Sequence, residues 1–473
     1  MIQTVSAQTE PLPSVVFIVI DDLGLADLSF LAQSPPDVHT PHIDALAAQS
    51  VEFSQAYTTS PICSPSWMGL LTGRYQQRWG AYWYGQGGLG PDQPTLPKEL
   101  KKLGYYNIKI GKTHLNEGES ENPRKHGFDE YMGFIDHTKS YVFLHREDRK
   151  RFGPDNWKYK VGPLLKNDWE FSFAAGNYTT DIFCDQAIQY IHKHQASPFY
   201  LQVSFNAMHA PLEQNISKYM EPFGIKDFPV WNPEEESYED FQEKYGWGKV
   251  DKGRLRYLAA LKALDEGIGS IMQALDSTGI RDNTIVVLIS DNGGSPGTYA
   301  NNSPFTGHKY IMNEGGIRTP MLFSWPKKWP QNVRREALVS TLDIFPTILE
   351  AVGAHPEAPS DGHSLIPLME EDQETRHHYL VWDSGWEWAL RKGPWKLRVT
   401  IEEEEFPIFE VPAGTYLYNL EDDPKEENNL VLQAQEKLDE LMGVYWHWRN
   451  TIAEHPHPQP EDSLDYMQIF RSS

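Results

Sequence analysis

Cysteine is scarce in this chain: Cys63 and Cys184 are the only two in 473 residues, so a disulfide-dense scaffold is excluded and at most one bridge can form. Positive charge is also short, with 42 Lys and Arg against 66 Asp and Glu and a formal net charge of -24. Such a field repels nucleic acid and anionic membranes, and neither is expected as a partner. A small anionic substrate stays open, because a local group of Lys and His acts within a Debye length of roughly 10 Å. Long apolar runs are missing near the N-terminus: Val15–Ile20 is too short to span a bilayer and ends in Asp21-Asp22. Residues 1–14 lack the apolar segment of an export signal, although Val5-Ser-Ala-Gln resembles the small-residue tail of one. They read as a disordered tail or a signal remnant, which favours a periplasmic or secreted location.

What is present points to an α/β fold. Val15-Val-Phe-Ile-Val-Ile-Asp-Asp and Thr284-Ile-Val-Val-Leu-Ile-Ser-Asp-Asn-Gly-Gly are continuous, β-branched runs, the pattern of strands buried on both faces of a parallel sheet. Phe199–Phe205 is a third such run. Helical periodicity marks Ile43–Ser50, Leu96–Lys102, Thr180–His192 and Leu255–Leu275. The alternation predicts a large, mostly parallel sheet sandwiched by helices. Glu213–Lys252, rich in Pro, Trp, Tyr and acids, reads as a long surface insertion, and Glu402–Glu405 as a solvated acidic loop. Tyr379–Ser384, Trp388–Val399 and Tyr416–Leu420 read as an antiparallel meander, followed by a helix over Glu427–His447. The expected division is a tail at 1–14, a catalytic unit at 15–375 and a smaller C-terminal antiparallel-sheet subdomain at 376–473.

Both apolar runs end in oxygen-rich side chains. Asp21, Asp22, Asp291 and Asn292 are the hard ligands a Ca²⁺ or Mg²⁺ site needs if the strands lie side by side. Either pair alone is an ordinary turn sequence; two pairs closing two buried strands point to metal, because isolated buried charge is too costly to keep. Cys63-Ser-Pro-Ser-Trp-Met-Gly-Leu-Leu-Thr-Gly-Arg reads as a helix whose first turn, near Cys63, presents free N–H groups to an anion. Lys112 and His114 alternate along Gly111-Lys-Thr-His and are expected on one face. Together with His209 and Lys309 they would give two cations for a tetrahedral dianion and two imidazoles for proton transfer.

In order and spacing these segments resemble the formylglycine-dependent sulfatases of the alkaline phosphatase superfamily, over most of the chain. The family pattern at the nucleophile is Cys, any residue, Pro, Ser or Ala, then Arg, followed by Leu-Thr-Gly-Arg; Cys63, Pro65, Ser66 and Leu71-Thr-Gly-Arg74 match. Gly111-Lys-Thr-His114-Leu matches a Gly-Lys-Trp-His-Leu segment, and Asp291-Asn-Gly and Glu314-Gly-Gly-Ile-Arg318-Thr-Pro match as well. Two positions depart: Trp67 stands where the pattern has Arg, and Thr113 where it has Trp. An indole offers one neutral N–H in place of a charged fork. The resemblance implies one divalent cation, Ca²⁺ with Mg²⁺ as the alternative, held by Asp21, Asp22, Asp291, Asn292 and the modified Cys63. It implies formylglycine at Cys63 as nucleophile, made by a formylglycine-generating maturation enzyme. Lys112, His209 and Lys309 would bind the sulfate, His209 would protonate the leaving alcohol and His114 would act as base. Tryptophan and tyrosine clusters at Trp79–Tyr84 and Trp382–Trp388 suit sugar faces, so a sulfated oligosaccharide or small molecule is the expected substrate. The competing readings are a phosphodiesterase or phosphonate hydrolase of the same superfamily, and a catalytically silent protein that binds sulfated glycans.

Overall fold

The computed structural model describes residues 11–115, 122–135, 141, 164–171, 173, 174, 176–210, 216–225, 240, 252–356, 358–371, 375–401 and 411–452. Most of the Glu213–Lys252 stretch, and the acidic run Glu402–Glu405, lie outside them.

The buried apolar runs form the centre of the molecule. β1 (Ser14–Ile20) and β8 (Thr284–Ser290) are buried at every residue and pair in parallel. Among the described residues they belong to a ten-stranded sheet with β2 (Val51–Tyr57), β3 (Tyr106–Lys112), β4 (Glu130–Phe134), β5 (Leu164–Lys166), β6 (Trp169–Phe171), β7 (Phe199–Ser204), β9 (Met321–Ser324) and β10 (Val333–Ser340). The spatial order is β10-β2-β9-β8-β1-β7-β3-β4-β5-β6. β8, β1, β7, β3 and β4 run parallel, as do β10 and β2, whereas β9, β5 and β6 pair antiparallel with their neighbours.

Alternation along β1 builds two cores. Val16, Ile18 and Ile20 face α1 (Pro41–Ala47), α4 (Thr179–His194) and α5 (Gly253–Ser277). Val15, Phe17 and Val19 face α2 (Cys63–Thr72), α3 (Leu96–Lys102) and α6 (Ile344–Ala351). With each such side chain contributing about 1.5–3 kcal/mol on burial, helices on both faces are what a strand without a polar side requires.

The C-terminal meander is a separate four-stranded antiparallel sheet, β11 (Leu380–Asp383), β12 (Glu387–Lys392), β13 (Trp395–Thr400) and β14 (Gly414–Asn419), with α7 (Gln435–Ile452) packed on it. Two details differ from the sequence reading. Trp388–Val399 is two strands joined by a two-residue turn, Gly393-Pro394, with Gly393 at φ 57°. The last helix begins at Gln435 rather than Glu427. The Asp423 carboxylate accepts from the Glu427 and Asn428 N–H groups, and Asn429 accepts from Leu417 and Val431. Those side chains occupy the backbone donors a helix would use. No helix among the described residues is long and apolar enough to cross a membrane.

Candidate active site

Register positions the site. β1 and β8 pair with Ile20 opposite Ser290, so Asp21 and Asp291 leave the same sheet edge side by side. On the other flank β7 pairs Val19 with Ser204, and β3 pairs Gly111 with that same Ser204. This delivers His209 and Lys112 to the C-terminal edge of the parallel strands, where ligands bind in open α/β sheets. Gly111 sits at φ 92°, and any side chain there would collide with the Ser204 carbonyl, so only glycine lets β3 close on β7 at this point. The Asp21 N–H donates to the Ala207 carbonyl at 2.9 Å and the Met208 N–H to the Asp21 carbonyl at 2.6 Å. Those two bonds tie the His209 loop to the end of β1.

The helix predicted near Cys63 begins at Cys63, and all ten residues of α2 are buried. Its N-terminus faces the carboxylates: Cys63 Sγ lies 3.7 Å from Asp21 Oδ1, and Ser66 Oγ donates to the Asp291 carbonyl at 2.6 Å. The Tyr310 N–H donates to the Pro61 carbonyl at 2.8 Å, which fastens the Lys309 loop beside the cysteine.

Ligand atoms of Asp21, Asp22 and Asp291 all lie within 4.8 Å of one another, as do those of Asp21, Cys63 and His209. Asn292 Nδ2 donates to Asp22 Oδ1 at 2.7 Å, while Asn292 Oδ1 is buried without a hydrogen-bond partner. Three carboxylates and an idle amide oxygen are a hard-oxygen donor set of the kind Ca²⁺ and Mg²⁺ take, so these residues fit a divalent cation. Lys112 Nζ lies 2.6 Å from Asp21 Oδ2, and Lys309 Nζ 2.8 Å from Asp22 Oδ1.

The electrostatics are those of a group short of positive charge. Burial, reinforced by Asp291 and Asp22, pushes the Asp21 carboxyl well above its ordinary value despite Lys112. Asp291 is raised for the same reason, burial outweighing Lys112 and Lys309. Asp22 is held low, because Lys309, His209 and Lys112 together outweigh its burial. Burial would lower Lys112 and Lys309, yet Asp21 and Asp22 respectively raise them, so both ammonium groups stay charged. Burial pushes the Cys63 thiol far up; as a plain cysteine it is a poor nucleophile here.

His209 Nδ1 lies 2.8 Å from the Ala210 carbonyl, which can only accept, so Nδ1 carries the proton and Nε2 faces Asp22 Oδ2 at 3.9 Å. Burial and Lys309 hold its pKa well down. The structure thus brings together Asp21, Asp22, Cys63, Lys112, His209, Asp291, Asn292 and Lys309. His114 is not in either ligand group. β3 ends at Lys112 and His114 has φ 54°, so the simple alternation that would align it with Lys112 stops before it.

The partner of Trp67, and Lys109 altogether, escape sequence reading. Trp67 Nε1 donates to Asp291 Oδ2 at 3.1 Å, and Lys109 Nζ stands 4.7 Å over the Trp67 ring. The signal for Lys109 was a lysine set between Ile108 and Ile110 in a buried strand.

Comparison with known proteins accords with this geometry. A family model described as Sulfatase matches residues 13–354, and one described as N-sulphoglucosamine sulphohydrolase, C-terminal, matches residues 306–443. The N-acetylgalactosamine-6-O-sulfatase of Bacteroides thetaiotaomicron is 28% identical over 93% of this chain and 94% of its own. The N-acetylgalactosamine-6-sulfatase of Mus musculus is 28% identical over 79% and 73%. Ps i-CgsB, solved in complex with k-i-k-neocarrahexaose, superposes with a TM-score of 0.78 at 28% identity, covering 95% of this chain and 94% of that one. Matched along more than half its length by the family model, with the catalytic-edge geometry in place, the chain belongs to the sulfatase family, sulfuric ester hydrolases of the alkaline phosphatase superfamily.

Proposed function

We propose that this chain hydrolyses a sulfate monoester on a carbohydrate, with Cys63 oxidised to formylglycine and Ca²⁺ held by Asp21, Asp22, Asp291 and Asn292. The observation that carries the reading is the paired ends of β1 and β8, which converge three carboxylates and Cys63 on the N-terminus of α2. The hydrated aldehyde would supply a hydroxyl nucleophile that a divalent cation keeps deprotonated. Lys112 and Lys309, both buried and charged, would neutralise the sulfate oxygens. His209 would hand a proton to the leaving alcohol, and His114, beyond the end of β3, would take one from the nucleophile's second hydroxyl.

An aromatic group beside the site, with Tyr84 exposed and Trp83 and Trp386 buried behind it, supports a sugar substrate. The two aromatic clusters of the sequence meet: Trp83 lies 5.7 Å from Trp386 and 6.2 Å from Tyr310, next to Lys309. Ile62, the residue before Cys63, packs in the same group, and Tyr84 beside it is 53% exposed. Relatives named for acetylgalactosamine 6-sulfate, and a structural neighbour solved with a neocarrahexaose, point to the same substrate class. A periplasmic or secreted location accords with such substrates.

The test is co-expression with a formylglycine-generating enzyme, mass measurement of the Thr58–Trp67 chymotryptic peptide, and turnover of matched aryl sulfate and aryl phosphate. An aldehyde at Cys63 with faster sulfate release is expected. An aldehyde-bearing protein that prefers phosphate, or binds sulfated glycans without turnover, would overturn the reading.

A further inference from the structure

The structure assigns Trp67, Lys109 and Thr113 to one coupled unit that orients Asp291, with the indole and the basic side chain at 67 and 109 where the family pattern has tryptophan at 113 and arginine at 67. The assignment rests on the proposed metal role of Asp291. In that pattern an arginine stands at position 67 and a tryptophan at 113; here the indole is at 67, a lysine at 109 and a threonine at 113. These three residues are far apart in function by sequence alone, yet all three line one small cavity of about 20 Å³, together with Gln202 and His126.

Each contact in the unit has a physical consequence. Asp291 is held at both oxygens, by the Trp67 indole N–H at Oδ2 (3.1 Å) and by the Asp22 N–H at Oδ1 (3.2 Å). Trp67 therefore fixes the carboxylate's rotation from behind, as an outer-shell partner of a ligand does. Lys109 is only 3% exposed and, among the described residues, has no carboxylate within ion-pair distance. Its Nζ donates to Ser204 Oγ and otherwise lies against the face of the Trp67 ring. Burial, reinforced by Lys112, pulls the Lys109 amine well below its ordinary value, so what the indole face and Ser204 hold is a buried amine with little drive to carry charge. Thr113 lines the same cavity as the indole, and its Oγ1 is buried without a hydrogen-bond partner.

Trp67 and Lys109 are thus positioning residues acting through Asp291, and the unit has a sign that an isolated substitution lacks. An arginine at 67 in the present background would set a guanidinium, which cannot shed its proton, against the buried Lys109 amine, in a cavity with room for about one water and no carboxylate in its lining. Restoring the family's arginine alone should do harm; restoring it while removing Lys109 and returning the indole to 113 should not.

The experiment is a mutant cycle on the full chain, read by calcium titration calorimetry and by thermal unfolding in chelator, neither of which needs turnover. Trp67→Phe, which keeps the ring and deletes the N–H, should weaken calcium binding by about tenfold. Trp67→Arg should lower the melting temperature and weaken calcium binding, and Trp67→Arg/Lys109→Ala/Thr113→Trp should regain most of both losses, a strongly non-additive result. Where aryl sulfate turnover is measured, kcat should follow the calcium affinities while KM holds. Additive effects across the cycle, a Trp67→Arg variant as good as the parent, or unchanged calcium affinity in Trp67→Phe would overturn the assignment. A parent that binds no calcium would instead remove the metal reading of the site, and the unfolding cycle in chelator would still decide the coupling.

Discussion

Asp21, Asp22 and Asp291 on one side of the molecule, and Glu314 and Glu426 on another, are similarly buried, yet their surroundings are opposite. The glutamates sit where the C-terminal sheet meets the catalytic sheet. Lys396 of β13 lies 2.8 Å from Glu314 and 2.9 Å from Glu426, Arg318 lies 2.7 Å from Glu314, and Tyr57 of β2 donates to Glu314 at 2.5 Å. Burial would raise Glu314, but Lys396, Arg318 and Arg391 outweigh it and hold its carboxyl far below the ordinary value. At the sheet edge, three aspartates face two lysines, two of the three carboxyls are pushed up, and the amide oxygen of Asn292 is idle. At the junction three cations face two carboxylates, each within ion-pair distance of Lys396, although Glu426 Oε1 makes no hydrogen bond; at the edge three carboxylates face two cations. Buried charge therefore marks a functional site when its balance fails, not merely when it is present.

The contrast can be broken by removing one carboxylate from each cluster. Asp291→Ala should cost more than about 100-fold in calcium affinity by titration calorimetry, above the range for an outer-shell partner; an unchanged affinity would take Asp291 out of the ligand set. Glu314→Gln should leave calcium affinity alone but destabilise the fold by about 3–5 kcal/mol in urea unfolding, because Lys396 and Arg318 lose their buried counter-charge. The pH dependence of stability sharpens the same point. The lowered folded-state pKa of Glu314 contributes stability above its ordinary value of 4.5, and that stability drains away as pH falls through the folded value. Melting temperature should thus fall less steeply below 4.5 in Glu314→Gln than in the parent. The smallest effect belongs to the exposed pair of Lys392 and Glu440, where Lys392→Ala should leave the melting temperature unchanged.

Much of this was legible in the amino-acid order, and the rest was hidden for physical reasons. The β1 and β8 runs announced themselves because a strand buried on both faces must be apolar throughout, so the aspartates that end them stand out. Cys63 at a helix start followed from Pro65 and the apolar residues behind it. The Trp67 to Asp291 hydrogen bond spans 224 positions and exists only because α2 packs under the end of β8, which no local pattern encodes. The expected alignment of His114 with Lys112 failed because the strand ends at Lys112 and His114 is left-handed, an interruption that sequence cannot show. The β12–β13 turn was signalled by Gly393-Pro394 and absorbed into a single apolar stretch. The late start of α7 depended on Asp423 and Asn429 capturing backbone donors, a contest decided by a few tenths of a kcal/mol per residue in ordinary helix propensity.

The complete burial of α2 sets a clock. Cys63 is 3% exposed in the finished protein, so an enzyme that modifies it must act before the helix is packed. Asp291, whose strand closes the site from the other side, is synthesised 228 residues after Cys63 (291 − 63), at roughly 5–20 residues per second on the order of ten seconds or more later. During that interval Trp67 has no Asp291 to pair with, and an enzyme acting then would meet it as a neighbour of Cys63 in sequence. If Cys63 is converted as proposed, the same side chain would be read twice, once in sequence by the enzyme that matures the chain and once in space by the carboxylate it later holds.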